Sequence, residues 1–90
     1  MKAHYAPLFI NKLKKANVGI RKAFKQKIAV FQKNPNAQEL NNHPLQGEYH
    51  GLRSINITSD WRALYEIVNG DGKEPSACFV AIGTHEELYG

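Results

Sequence analysis

His43, Asp60 and His85 have the chemistry for proton transfer near neutral pH, and all three stand where a folded sheet could gather them. His43 precedes Pro44 and the first run of alternating residues. Asp60 falls in the polar turn Thr58-Ser59-Asp60, and His85 follows the last strand-like run. Residues at the ends of antiparallel strands can meet in space although far apart in sequence. Cleaving a phosphodiester through an RNA 2′-OH needs a base for that proton, an acid for the leaving oxygen and positive charge on the nonbridging oxygens. Arg53 and Arg62, inside the alternating runs, are candidates for that charge. Spacing alone leaves the plainer alternatives open. Each histidine could simply be solvated, and Asp60 could be a turn residue whose carboxylate bonds nearby backbone N–H groups.

Other chemistries lack their residues. There is no glycine-rich phosphate loop and no Gly-x-Ser-x-Gly. The later histidines 43, 50 and 85 are widely separated, and the single Cys78 cannot build a thiolate cluster, so no metal site and no cofactor are expected. His4 and His50 read as surface residues.

The elements that must position these groups follow from periodicity. Lys2 to Tyr5 is a possible short strand. Pro7 suits a first helical turn, where its missing N–H costs nothing, and Leu8, Phe9, Leu13 and Ala16 recur at helical spacing. Asn17-Val18-Gly19 reads as a break, with glycine at a helix end. Ile20, Phe24, Ile28 and Phe31 form one stripe of a second helix, with Lys22, Lys25 and Lys33 off it, ending at Asn34-Pro35. The short connection predicts an antiparallel helical hairpin.

After residue 45 the period changes to two. Leu52–Ile57 and Arg62–Ile67 alternate around the Thr58–Asp60 turn. Asn69-Gly70-Asp71-Gly72 is a turn signal before the strand-like Ala77–Ile82, in which Cys78 alternates with Val80 and Ile82 and reads as core. Thr84 is placed to cap a last short helix through Leu88, with Glu86 and Glu87 in its first turn. Trp61 and Tyr65 share a strand face and read as core; Tyr89, near the terminus, is free to stack on a base. Helices first and a meander second imply an α+β fold: a helical hairpin packed on one face of a mainly antiparallel sheet of four to five strands, the other face left open for a site.

Ninety residues support one core and one domain, residues 1–90. No signal peptide is evident and no run approaches the ~20 apolar residues of a membrane span, so a cytoplasmic protein without a membrane partner is expected. Charge is unevenly placed. Residues 1–38 hold nine Lys and Arg and no acid, whereas residues 39–90 hold three basic residues against eight acidic ones. Such asymmetry favours a polyanionic or acidic partner for the helical half, with Lys14, Lys15, Lys22 and Lys25 as contacts for an RNA backbone.

Four blocks together resemble the RelE superfamily, and its YafQ branch most closely. They are His43-Pro44-Leu45-Gln46-Gly47, Gly51-Leu52-Arg53, Asp60-Trp61-Arg62-Ala63-Leu64-Tyr65 and Gly83-Thr84-His85-Glu86-Glu87-Leu88-Tyr89. The resemblance covers residues 43–90, and the helical hairpin before them fits. It implies a compact microbial RNase fold in the toxin of a type II toxin–antitoxin pair. Such a toxin is a metal-independent endoribonuclease that cleaves mRNA, typically on the ribosome, leaving a 2′,3′-cyclic phosphate and a 5′-hydroxyl. The implied partners are a cognate antitoxin protein, mRNA and rRNA, with no small-molecule cofactor. Position by position, His85 matches the C-terminal catalytic histidine, and His43 and Asp60 match the acid/base pair. Tyr89 matches an aromatic that positions RNA, and Arg62 a phosphate-stabilising arginine. Two positions depart from the pattern: Asn56 replaces a further histidine and Ala81 a common arginine. The sister ParE branch shares the fold but acts on DNA gyrase without the catalytic set, so a non-catalytic toxin or antitoxin-binding module is the alternative.

Overall fold

The side chain of Phe79 is where the two halves of the chain meet. Its ring lies 5.1–6.3 Å, centroid to centroid, from those of Tyr65, Phe31, Phe9, Tyr5 and Phe24. Stacked, tilted and edge-on pairs of this kind stabilise beyond the area each ring buries. The computed structural model describes residues 1–70, 72 and 74–89. In chain order these form strand β1 (Lys2–Tyr5), helices α1 (Pro7–Lys15) and α2 (Val18–Lys33), strands β2 (His43–Pro44), β3 (Arg53–Asn56), β4 (Trp61–Val68) and β5 (Ser76–Thr84), and helix α3 (His85–Tyr89). Single 3₁₀ turns at Gln38–Leu40 and Gly47–Tyr49 flank β2. Asp71, in the expected Asn69–Gly72 turn, lies outside the described residues.

The α+β expectation is borne out. One five-stranded sheet has the order β1-β5-β4-β3-β2; every neighbouring pair is antiparallel except β1 with β5. That parallel pairing was not legible in so short a strand. Its ladder ends with the Ala6 amide donating to the Phe79 carbonyl, which hands the chain into α1. Phe9, Phe24 and Phe31 from the helices pack on Ile55, Ile57, Ala63, Tyr65, Ala77, Phe79 and Ile82 of the sheet side. The stripe read along the second helix is therefore its buried face, with Ile28 partly covered.

Two local expectations need correcting. Gly19 is not a break but the second residue of α2. Asn17 caps that helix instead, its Oδ1 accepting from the Ile20 amide at 3.0 Å. Cys78 is not core: it is half-buried, paired laterally with His4 and Glu66 on the face away from the helices. The reason is a bulge. Leu64 pairs with Ala81 but Tyr65 with Phe79, so Val80 is an extra residue and the inward set shifts from even to odd positions. Ala77 and Phe79 thereby join Ile82 in the core although strict alternation from Ile82 would have chosen Cys78 and Val80. Trp61 and Tyr65 are on the core side as expected.

Phe79→Ala should cost about 3–5 kcal/mol in urea unfolding, the range for removing a fully buried phenylalanine. A loss below about 1 kcal/mol would show that the six rings do not act as one core.

Candidate active site

Alternation fixes what faces away from the helices. Asn56 pairs with Arg62 and Ser54 with Leu64, so these four lie on the face opposite Ile55 and Ala63. His43 pairs with Ser54 from the neighbouring strand, which puts their side chains on the same face. On that face His43, Ser54, Arg62, His85 and Tyr89, with Asn41 and Leu45, line a cleft of about 370 Å³.

The cleft has a built rim. Asn41 adopts the left-handed conformation (φ 45°), which asparagine tolerates better than most residues. Its carbonyl oxygen lies 2.8 Å from His43 Nδ1. A carbonyl only accepts, so Nδ1 carries the hydrogen and neutral His43 presents an unprotonated Nε2. On the far side Thr84 caps α3. Its Oγ1 accepts from the Glu87 amide at 3.1 Å while Glu87 Oε1 accepts from the Thr84 amide at 2.9 Å, a reciprocal capping box. The His85 amide donates to the Asp60 carbonyl, which ties the start of α3 to the β3–β4 turn. One helical turn on, the Tyr89 ring packs 4.8 Å from the His85 ring. Tyr49 braces both sides, donating from its hydroxyl to the Leu88 carbonyl and meeting Tyr89 edge-on. The sheet face expected to be open is therefore partly roofed by the Gly47–Tyr49 turn and α3. Leu45 and Leu64 are buried on this side, outside the main cluster.

Arg62 is the cation of the cleft. Nη1 donates to the carbonyls of Thr58 (2.8 Å) and Trp61 (3.0 Å), and Nη2 to Ser59 (3.1 Å). Among the described residues these bonds take three of the five guanidinium hydrogens, which leaves Nε–H and one on Nη2 to meet an anion. Ser54 is fully buried, and among the described residues both its Oγ and Asn56 Oδ1 are shielded from water without a hydrogen-bond partner. Such an atom typically costs about 1–3 kcal/mol. Among the described residues no group of three or more His, Cys, Asp or Glu side chains is placed to hold a metal ion, and no helix is long and apolar enough to cross a membrane.

The model of the bacterial type II toxin–antitoxin toxin YafQ matches residues 2–90. The chain belongs to the YafQ family. Among solved structures, YafQ from E. coli strain BL21(DE3) is similar at 22% identity with a TM-score of 0.78, covering 99% of this chain and 98% of that one. The YoeB/ParE toxin from Agrobacterium tumefaciens follows at 20% identity and TM-score 0.72, over 94% and 99%. A RelB–RelE antitoxin–toxin complex from Methanococcus jannaschii matches at 26% and 0.70, over 96% and 94%. No curated protein sequence matches the chain. The RelE/ParE superfamily, near its YafQ branch, is thus where the chain sits.

Within this YafQ-family fold the residues singled out from sequence separate into two groups. His43, Arg62, His85 and Tyr89 come together in the cleft. Asp60 is exposed at the tip of the β3–β4 turn; its backbone holds His85, and its carboxylate does not line the cleft. Arg53 is turned the other way. It pairs with Tyr65 on the helix-side face, and its Nε donates to Asn42 Oδ1 at 2.9 Å. Arg53 and Arg62 both fall in alternating runs, but their registers have opposite parity, and only Arg62 reaches the cleft. Lys22 and Lys25 are exposed on α2, in the layer behind the sheet. Lys25 borders an apolar groove there with Phe9, Leu13 and Phe24. Ala81 lines a small hollow with Leu8, Lys12 and Leu88, so no arginine enters from that position. Sequence reasoning missed Ser54, Asn41 and Tyr49. A serine between Arg53 and Ile55 reads as an ordinary outward strand residue, and nothing local announces a left-handed asparagine.

The Glu87 carboxyl is held below its ordinary value, first by the Thr84 backbone N–H and then by Lys12, whose Nζ lies 3.3 Å away. A carboxylate favoured by folding contributes fully above its ordinary pKa and loses that contribution as pH falls through the lowered folded value. Acidification below the ordinary glutamate value of 4.5 should therefore loosen α3, read as shifts of the His85 and Tyr89 ring resonances. Glu87→Gln should abolish that pH-dependent change, and Thr84→Ala should cost about 1 kcal/mol of stability. Ring resonances in Glu87→Gln that follow acid as in the unaltered chain would refute the capping role.

Proposed function

We propose that this toxin is an endoribonuclease that cleaves mRNA, on the ribosome, by attack of a 2′-OH on the adjacent phosphorus without a metal. The supporting observation is the cleft that holds two histidines, one with its tautomer set, around an arginine with donors to spare. His43 Nε2 accepts the 2′-OH proton as the O2′–P bond forms. Arg62 meets the charge growing on the nonbridging oxygens. Protonated His85 gives its proton to the 5′-oxygen as the P–O5′ bond breaks, leaving a 2′,3′-cyclic phosphate and a 5′-hydroxyl. Tyr89 stacks on a base beside His85. The resemblance gave His43 and Asp60 as the acid/base pair. With Asp60 exposed on the turn whose backbone holds His85, its carboxylate serves here only as a nearby anion, and His43 and His85 share the proton transfers. Arg53 is no longer a phosphate ligand in this reading.

The helical layer is the docking side. Its apolar groove, the exposed Leu8 and Val18 and the uncompensated lysines suit an acidic amphipathic segment of a cognate antitoxin. Solved structures of the E. coli DinJ–YafQ complex and the Methanococcus jannaschii RelB–RelE complex support that kind of partner. Lys22 and Lys25 lie too far round the molecule to hold the scissile phosphate, and are assigned instead to rRNA backbone contact. The compartment consistent with this substrate is the cytoplasm.

His43→Ala and His85→Ala should each lower RNA cleavage by about 10²–10⁴, and Arg62→Met by about 10²–10³, with unfolding midpoints of the histidine variants near that of the unaltered chain. Asp60→Asn should lose less than either histidine variant. Full cleavage by His85→Ala would end the assignment. An unaltered chain that arrests growth with RNA intact and DNA damaged would point to gyrase instead.

A further inference from the structure

The side-chain oxygens that are buried without a partner among the described residues, Ser54 Oγ and Asn56 Oδ1, both lie on the cleft side of β3. Ser54 is also the one buried polar residue there, completely shielded, and it lines the cleft. A random packing defect has no reason to favour one face of one four-residue strand. A buried unpaired hydroxyl calls for a specific explanation, and a ligand that completes it is one.

We propose that Ser54 is a specificity-determining residue whose hydroxyl hydrogen-bonds the edge of a nucleobase seated in the cleft. This rests on the ribonuclease reading above and goes beyond it. The surroundings select a base over a phosphate. Ser54 pairs laterally with the apolar Leu64 and shares the cleft with buried Leu45, while the cation, Arg62, is two residues along the ladder. An uncharged, planar group suits a neutral hydroxyl between leucines, and the Tyr89 ring offers a wall for its face. A rotation between the staggered χ1 wells of serine brings Oγ to the ligand. His43, directly across from Ser54, then meets the ribose of the same nucleotide. A base whose edge completes the hydroxyl is preferred, and one that leaves it unpaired is rejected.

The experiment maps cleavage ends on a randomised RNA for the unaltered chain, Ser54→Ala and Ser54→Thr, with thermal midpoints alongside. The unaltered chain should show a base preference at one position flanking the cut. Ser54→Ala should flatten that preference by about tenfold, the size of one neutral hydrogen bond. Its Tm should be unchanged or higher, because the substitution removes an unpaired polar atom. Ser54→Thr, which keeps the hydroxyl, should keep the preference. A preference retained in Ser54→Ala overturns the proposal whatever its Tm, as does an unaltered chain that cuts without preference. A chain that cuts no RNA at all removes the ribonuclease reading and this proposal together, which separates the two failures.

Discussion

Everything on the cleft side depends on how β5 is held. Phe79 fixes one face of that strand among five other rings, and the bulge at Val80 keeps both Phe79 and Ile82 in the core. With one face committed to the helices, the pleat leaves no choice for the other. Ser54, Asn56, Arg62 and Leu64 must point away from the core, and the residue after β5, His85, must emerge beside the β3–β4 turn. The roof over that face is held by a capping box, the Asp60–His85 backbone bond, the hydroxyl and ring of Tyr49 and the Lys12–Glu87 pair. The core thus rests on burial, whereas the roof adds directed polar contacts to its apolar ones.

The same division separates the charge from the candidate site. Excess positive charge is concentrated in the first 38 residues, which fold into the edge strand and the helical layer. The residues that line the cleft, His43, Ser54, Arg62, His85 and Tyr89 among them, come from the rest of the chain, on the opposite sheet face. Lys12 of α1 pairs with Glu87 of α3 at 3.3 Å, a side-chain link between the helical layer and the roof of the cleft. Arg62 is tied to the β3–β4 hairpin: three of its donors hold the carbonyls of Thr58, Ser59 and Trp61, which sets its orientation at the cleft.

Much of this was legible in the sequence because it rests on local period and caps. The second helix, the β3–β4 hairpin, the Thr84 cap and the order of helices before sheet follow from residue spacing alone. His43, Arg62, His85 and Tyr89 were found through the blocks that carry the family resemblance, and the fold brings all four together. What escaped depends on register. Arg53 and Arg62 looked equivalent until the pairing with Tyr65 and Asn56 placed them on opposite faces. Cys78 looked buried until one extra residue in β5 reversed the parity, and no residue type at Val80 announces a bulge. Ser54 needed the tertiary structure, because an unpartnered hydroxyl is a property of its surroundings rather than of its spacing.

On the proposed reading, this face carries out 2′-OH transesterification with its own side chains. The most direct measurement compares cleavage of an RNA with that of the same RNA bearing a single 2′-deoxynucleotide on the 5′ side of the cut. Loss of that cut alone, with cyclic phosphate ends at the remaining sites, is the result predicted. Equal cleavage at the deoxy position would contradict it, since no 2′-OH would then be needed for His43 to activate.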